Sequence, residues 1–520
     1  MRTLVINLTR FGDLLQTQPV IAGFKQAGDV TGLMCLQNFR QATGLLRHVD
    51  AVYDIPGASL LAALDQSWPQ ALGGCLAWMD AVRRDFAPQR VVNLTPSLPS
   101  RLVARAMNAD VILGFGLDEL GFGAYSTPWA AFLEASALHR GSSPFNVVDL
   151  FRRAAHLESA GGRFELAAPD PADAAHVAGM IAAKAGVEHA GLLGLQLGAS
   201  APKRQWPAAS FAEVASAVWR EHRLLPVLLG SKDDLPLAQA FAAATDAPHV
   251  SLVGETSLPQ LAAAVSGLRL LLSNDTGTLH LAAGLGVPVL GIFLSTAQPF
   301  DTGPYRPGSC SLEPDMACHP CSFSHECAES WACHGKVTPA AVLHFLGHHL
   351  RGGAWPEARG LGVRAWETVV DDHGYLDLRS LTGHGEGERA AWNRVQRTFW
   401  RQFLDAAPVE LAPGEASRLP EPLKASLRPV LEQAGGLLAV LIQQARVLGA
   451  VPRPAMRTKF MATWQRLETV FASHPLLLPL SHLWLRLSQE GATGLGHIQD
   501  FAARTAALVA ALSAVVSPRP

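Results

Sequence analysis

Short apolar strands alternate with helical stretches through the first two thirds of this chain. Residues 4–8 predict a buried strand, and residues 14–24 predict the helix after it. The alternation resumes further on, where residues 191–197 and 225–229 predict strands with a helix between them. Strands buried on both faces read as continuous apolar runs, so this pattern predicts parallel sheets covered by helices. Two successive units predict an α/β protein with two facing Rossmann-like domains and a cleft between them.

The predicted domains are an N-terminal Rossmann-like domain at residues 1–168, a second one at residues 169–351, and an extension at residues 352–520. Capping-box patterns at residues 210–213 and 257–260 predict two helix starts in the second domain. The extension opens with a glycine-rich linker, and helical periodicity dominates it afterwards, so it is predicted to be a mostly helical appendage. Its apolar, alanine-rich end is predicted to pack in a bundle, with membrane contact as the alternative.

The composition limits the classes of protein and partner. Hydrophobic residues make up 49% of the chain and charged residues 17%, which favours large cores over disorder. The net charge of −2 provides no overall basic field, so we expect no nucleic-acid partner. The apolar N-terminal segment is too short for a signal peptide, and no run of about eighteen uninterrupted apolar residues occurs. We therefore expect a cytoplasmic protein without a spanning helix.

The most informative local motif is the polar turn at residues 274–280, which follows an apolar strand and opens a helix. The first N–H groups of a helix lack partners and carry partial positive charge, so such a turn can bind an anion. The turn supplies a carboxylate, two hydroxyls, a glycine and an imidazole: Asp275, Thr276, Gly277, Thr278 and His280. The alternative is that Asp275 is a simple N-cap with nothing bound.

Two further turns follow neighbouring predicted strands. One contains the small residue Gly198 and the cations Lys203 and Arg204, which suit a phosphate; the alternative is a solvated loop anchored by Trp206. The other is the small, polar turn at residues 230–234. Because the carboxyl ends of parallel strands share one edge of a sheet, the three turns are predicted to converge around a diphosphate.

Asp13 begins a helix at the carboxyl end of the first predicted strand, directly after Gly12. Its carboxylate could cap that helix or act as a general base facing the cleft, and position alone does not decide between them. The chain has no Walker-type turn and no early GxGxxG element, which disfavours P-loop NTPases and classical dehydrogenases.

The order of these motifs resembles the glycosyltransferase family 9 heptosyltransferases over roughly residues 1–350. The resemblance rests on Gly12-Asp13 with Thr17-Gln18-Pro19, on Gly198-Ala199 with Lys203-Arg204-Gln205-Trp206-Pro207, and on Asn274-Asp275-Thr276-Gly277 with His280. It implies a GT-B fold, no cofactor required for catalysis, and inverting transfer of a heptose-like sugar. The implied donor is a nucleotide-diphosphate sugar such as ADP-heptose, and the implied acceptor is of the lipopolysaccharide-core type.

The resemblance also implies roles for individual residues. Asp13 matches the family's catalytic base, and Asp275 matches the acidic residue beside the diphosphate-binding turn of Thr276, Gly277 and His280. Because Gln205 lengthens the usual spacing before Trp-Pro, either Lys203 or Arg204 matches the basic phosphate contact. Residues 352–520 lie outside the resemblance.

Two other functions stay open, namely a related nucleotide-sugar transferase that modifies a protein or another glycan, and an inactive GT-B scaffold that works through its helical tail. A lipid-linked acceptor would require peripheral contact with the cytoplasmic face of the inner membrane.

Five of the seven cysteines lie between Cys310 and Cys333. Four of them have spacings that suit a tetrahedral zinc or an iron: Cys318, Cys321, Cys327 and Cys333. His319, His325 and His334 are alternative ligands. Reduced thiols that staple the loop and disulfides are the other interpretations, and the expected reducing compartment favours metal over disulfides.

Overall fold

The computed structural model describes residues 1–138, 143–158, 163–323, 326–411, 414, 418–488 and 495–517. His325, one of the alternative metal ligands, lies outside these residues. The chain divides into two compact units, of which the first comprises Met1–Ile112 and Phe145–Gly383 and the second Leu113–Pro144 and His384–Pro520.

The strands are β1 (Arg2–Ile6), β2 (Val30–Leu36), β3 (Ala51–Ile55), β4 (Arg90–Asn93), β5 (Val111–Leu117), β6 (Gly123–Tyr125), β7 (Gly191–Gln196), β8 (Leu224–Leu229), β9 (Val250–Ser251), β10 (Leu270–Asn274), β11 (Val289–Ile292), β12 (Cys310–Pro314), β13 (Val363–Val370) and β14 (Leu376–Ser380). The helices are α1 (Phe11–Leu15), α2 (Gln18–Gln26), α3 (Gly57–Gln66), α4 (Trp68–Phe86), α5 (Leu98–Ala106), α6 (Pro128–Leu138), α7 (Val147–Ala154), α8 (Pro171–Ala185), α9 (Ala208–His222), α10 (Leu235–Ala243), α11 (Leu258–Ser266), α12 (Gly277–Gly284), α13 (Pro299–Thr302), α14 (Cys333–Lys336), α15 (Pro339–Gly352), α16 (Glu388–Leu404), α17 (Glu421–Ala450), α18 (Pro454–Ala472), α19 (Leu478–Ser488) and α20 (Leu495–Val516).

The first lobe of the first unit contains a parallel sheet in which β3, β2, β1 and β4 lie side by side in that order. Val5 is aligned with Leu33 on one side and with Val92 on the other. All three side chains are fully buried, as expected for a parallel sheet with both faces covered. The carboxyl end of β1 leads directly towards α1, which carries Asp13.

The second lobe contains an eight-stranded sheet in the order β14-β13-β12-β11-β10-β7-β8-β9. The strands from β12 to β9 are parallel, whereas β13 and β14 join as an antiparallel hairpin. This hairpin lies in the stretch that the sequence assigns to the linker and helical extension. Val363 and Ala365 of β13 are buried in the same core as Leu272 and Leu290, which explains why this segment joins the sheet.

Helix starts follow the local sequence only in part. At α11 the capping box predicted at residues 257–260 is confirmed, because the Ser257 side chain accepts from the Gln260 N–H and the Gln260 side chain accepts from the Ser257 N–H. The start predicted at residues 210–213 is wrong, since α9 begins at Ala208. Pro207 fixes the backbone just before it, and the helix follows directly.

The second unit combines the antiparallel pair β5–β6 with helices α6 and α16 to α20. Aromatic rings build its core; the Phe132 and Trp400 rings, for example, lie 4.9 Å apart. Two of its helices, α17 and α20, have the length and apolar composition that would allow them to span a membrane. They pack against each other, and Leu438, Leu441, Leu508 and Leu512 are fully buried there.

Candidate active site

Asn274 ends β10 and ties two turns together at the carboxyl edge of the second sheet. Its side-chain carbonyl accepts from the Trp206 N–H at 3.0 Å, and its amide donates to the Leu197 carbonyl at 2.7 Å. The asparagine is fully buried, so these bonds are shielded from water. The turn after β10 and the loop after β7 are therefore fixed side by side, as the sequence predicts.

The N-terminus of α12 lies beside this asparagine. Thr276, not Asp275, is the N-cap residue, and its side chain makes no capping bond. The simple N-cap interpretation of Asp275 is therefore wrong, because its carboxylate pairs with Arg204 instead. The Thr278 hydroxyl donates to the Gln196 side chain at 2.9 Å and is used inside the fold. Thr276 and Gly277 are only half-buried, and the first N–H groups of α12 have no intrahelical partner, so the tip can receive an anion.

The two cations of the β7 loop have different surroundings. The Arg204 guanidinium forms a buried ion pair with Asp275 and donates to the Ser200 hydroxyl at 2.8 Å. Lys203 is half-buried, and its ammonium has no hydrogen bond or ion pair within the described part of the chain. The Arg204 guanidinium is therefore already paired within the protein, whereas the Lys203 ammonium is available to a ligand.

Gly198 is buried where the loop after β7 meets the turn after β8. A Cβ atom added to Gly198 would lie 2.0 Å from a carboxylate oxygen of Asp234. That carboxylate accepts from the Ser231 N–H at 2.8 Å. Gly198 therefore leaves room for the Asp234 side chain. This packing explains why residue 198 is small, in addition to the predicted close approach of a phosphate.

Asp13 and His280 come from different lobes and meet at this tip. A Cβ atom on Gly12 would lie 2.9 Å from Cδ2 of His280 and 3.2 Å from Cα of Gly277, so the two backbones approach closely. Asp13 is half-buried, and the amide of Asn7 donates to its main-chain carbonyl at 3.2 Å. The structure therefore brings together the predicted base and the predicted diphosphate turn.

The imidazole of His280 is buried and held neutral. Burial lowers its pKa below the usual 6.5, while the carboxylates of Asp275 and Asp13 oppose this shift and Arg204 adds to it. Its Nδ1 atom has no hydrogen-bond partner within the described residues. A neutral ring can donate one hydrogen bond to a bound anion without carrying a charge of its own.

A fourth loop lies at the same edge of the second sheet, and the sequence motifs do not predict it. Residues 295–298 follow β11 and are all buried, although three of the four are polar. The Thr296 hydroxyl and both polar atoms of the Gln298 side chain have no partner within the described residues. Buried polar groups are rarely left unpaired, so these atoms are candidate ligand contacts at this edge of the sheet. The signal in the sequence was a polar Ser-Thr-Ala-Gln run after an apolar strand.

The cysteine-rich loop lies next to this fourth loop, where the Cys321 N–H donates to the Ser295 carbonyl at 2.8 Å. Ser295 hydrogen-bonds the thiols of both Cys321 and Cys333, and burial raises the pKa of each thiol, with the other nearby cysteines adding to the shift. All seven cysteines of the chain are free thiols. Within the described ranges, no three His, Cys, Asp or Glu side chains form a metal-binding group. Cys310 lies apart, buried in β12.

Comparison with known proteins shows a family match over part of the chain. Residues 82–332 match the model of glycosyltransferase family 9 (heptosyltransferase). The chain is 30% identical to the lipopolysaccharide core heptosyltransferase OpsX of Haemophilus influenzae over 109 residues, which are 21% of this chain and 31% of OpsX. The chain thus spans about a third of the length of the curated relatives it matches.

Two solved structures share the fold. A family 9 glycosyl transferase from Veillonella parvula superposes with a TM-score of 0.55 at 19% identity, over 67% of this chain and 97% of that one. The ADP-heptose LPS heptosyltransferase II of Escherichia coli gives a TM-score of 0.50 at 17% identity, over 68% and 99%. The two-lobed GT-B architecture is thus shared.

Proposed function

We propose that this chain, whose residues 82–332 match the model of glycosyltransferase family 9, is an inverting glycosyltransferase. Its donor is a nucleotide-diphosphate sugar, with ADP-heptose as the first candidate. One observation carries the proposal: Gly12 and Asp13 of α1 in the first lobe lie against Gly277 and His280 at the tip of α12 in the second.

The residues suit the chemistry of an inverting transfer. Asp13 takes the proton of the acceptor hydroxyl while that oxygen attacks the anomeric carbon. The bond from that carbon to the diphosphate oxygen breaks on the opposite face, and its electron pair leaves with the nucleoside diphosphate. The growing negative charge meets the Lys203 ammonium, the Gly277 N–H and the neutral His280 ring.

Arg204 supports this site indirectly. Its ion pair with Asp275 neutralises the carboxylate that directly precedes the N-terminus of α12. Without that pairing, a buried negative charge would oppose the donor. Lys203 is therefore the proposed phosphate contact, and Arg204 the residue that holds Asp275.

The proposed acceptor is of the lipopolysaccharide-core type, because the relative OpsX is named as a lipopolysaccharide core heptosyltransferase. A lipid-linked acceptor places the enzyme at the cytoplasmic face of the inner membrane. The first lobe has a surface that supports peripheral contact. Helix α3 buries none of its residues, and Leu61, Leu64 and Trp68 are each at least half exposed along α3 and the start of α4.

The substitution Asp13→Asn tests the proposed base. We expect ADP-heptose to bind normally, while turnover falls by ~100-fold or more, the size of a general-base effect. Donor affinity by calorimetry and turnover by product mass spectrometry are both needed, because only their combination separates chemistry from binding.

Asp246→Asn is the matched control, since it makes the same chemical change at an exposed position in the loop after α10, away from the proposed membrane contact. It should leave both quantities unchanged. If Asp13→Asn turned over at a near-normal rate, Asp13 would not be the base.

The alternatives predict different results from the same assay. A related transferase with another substrate would be stabilised by a different nucleotide sugar in a thermal-shift screen, because a ligand raises stability once its concentration exceeds its dissociation constant. An inactive scaffold would turn over none of them.

A further inference from the structure

A cavity of about 660 Å³ lies in the first unit at the C-terminal end of α12, away from the proposed diphosphate tip. Helix α12 has eight residues and therefore separates the two places by about 12 Å. The cavity is lined by segments from both lobes and from the chain that joins them. Its walls are Arg47, residues 163–166, residues 283–286, residues 305–307, and three residues of the β13–β14 hairpin, Val370, Gly374 and Leu376.

A single buried carboxylate holds two of these walls in place. The Tyr305 hydroxyl donates to Oδ1 of Asp149 at 2.7 Å, and the Leu376 N–H donates to Oδ2 at 3.1 Å. Asp149 is fully buried. The cavity is thus preformed, and a ligand would not have to order its walls before binding.

The charge of the lining is positive. Three arginines and one glutamate face the cavity, which leaves a net charge of +2 (three minus one). Glu165 pairs with Arg47 at 3.1 Å and with Arg163 at 3.7 Å. Arg306 is half-buried, and its guanidinium has no hydrogen bond or ion pair within the described chain. Burial without a counter-charge lowers the pKa of Arg306, although an arginine remains protonated at neutral pH.

The remaining walls are largely apolar, from Phe164, Leu166, Leu285 and Val370. We propose that this cavity is a second ligand site, which binds an amphipathic anion: a phosphate or carboxylate on Arg306, attached to an apolar body that fills the space beside it. A guanidinium binds either anion through paired hydrogen bonds, and the apolar walls bury the rest of the molecule.

Calorimetry with decyl phosphate, kept below its micelle-forming concentration, tests the proposal on the full chain. We expect saturable binding of one molecule per chain. Arg306→Gln should weaken it about tenfold, the worth of one charge-assisted hydrogen bond pair. Val370→Asp leaves Arg306 intact and adds a carboxylate at the half-exposed wall, so it should weaken binding as well. Binding of decanoate measures whether a carboxylate can replace the phosphate head group. Binding of inorganic phosphate measures how much of the affinity comes from the apolar chain.

Three controls make the result decisive. Arg220→Gln removes an arginine from the exposed face of α9 and should not change binding. Saturating ADP should not displace decyl phosphate, because the two sites are separate. Decyl maltoside, which has the same chain and no charge, should not bind. Equal affinity in wild type, Arg306→Gln and Val370→Asp, displacement by ADP, or equal binding of the maltoside would each overturn the proposal.

Discussion

At the scale of single residues, Lys203 and Arg204 are adjacent and carry the same charge, but we propose different roles for them. Lys203 contacts the phosphate, and Arg204 pairs with Asp275. Lys203→Ala removes the proposed phosphate contact, so the dissociation constant for ADP should rise about tenfold with little loss of stability. Arg204→Ala leaves Asp275 as a buried, unpaired charge; the two side chains are only 10% and 6% exposed. The free energy of unfolding should fall by about 3–5 kcal/mol. Calorimetry and urea denaturation measure the two effects.

Arg220→Ala is the control for both variants, because it removes an exposed arginine that donates to the Ser216 carbonyl of its own helix and pairs with no buried carboxylate in the described residues. It should change stability by less than about 0.5 kcal/mol. If Arg204→Ala left stability intact and Lys203→Ala left ADP affinity intact, the division of tasks would be wrong.

His280 makes a pH-dependent contribution to stability. Its pKa is lowered by burial, so the unfolded chain binds a proton at this position more readily than the folded chain. Stability is therefore unaffected well above pH 6.5 and falls as the pH drops below 6.5. His280→Gln cannot bind that proton, so its stability should fall less between pH 7 and pH 5. Denaturation curves across this range measure the difference, and parallel loss in both proteins would contradict the account.

The sequence predicts which residues lie at the candidate site better than it predicts which side chains they contact. The sequence predicts that Asp13, Lys203 and His280 face a common ligand, and the structure brings Gly12-Asp13 against His280. It does not predict that Asp275 pairs with Arg204, because an ion pair between residues 71 positions apart depends on the tertiary fold. The buried Gln298 was missed for the same reason.

At the scale of elements, the periodic apolar segments are the reliable part of the sequence. The strand preceding the diphosphate turn, the helix after it and the capping box at residues 257–260 all follow from local patterns. The β13–β14 hairpin does not. Its strands gain their stability from pairing with β12 and from burying Val363 and Ala365, which are long-range effects that a local pattern does not contain.

The cysteine-rich loop is the element whose chemistry is open to a direct measurement. We propose that it binds one structural zinc or iron through Cys318, Cys321, Cys327 and Cys333, and that these thiols move together when the metal binds, because no three of them are grouped as ligands within the described residues. Protein purified without chelator should contain about one metal per chain, and Cys318→Ser should lose it, since each thiolate is one of four ligands. Cys75→Ser, in α4, is the matched control and should keep the metal. A folded, metal-free wild-type protein would disprove the site.

At the scale of the whole molecule, the sequence predicts that the helical extension begins at residue 352, whereas the compact helical unit resumes at His384. The second unit joins residues 113–144 to the helices after residue 384, so one compact unit is built from two separate stretches of chain. A truncation at residue 352 would also remove β13 and β14 from the second sheet. Single substitutions are therefore better tests of the extension than deletions.

The central claim is that a nucleoside diphosphate binds at the tip of α12, across from Asp13. A crystal structure of the chain with ADP tests it most directly. We predict the β-phosphate within hydrogen-bond distance of the Gly277 N–H and the Lys203 ammonium, with Asp13 facing it from the other lobe. ADP bound elsewhere, such as in the cavity beside Arg306, with the α12 tip empty, would contradict the account.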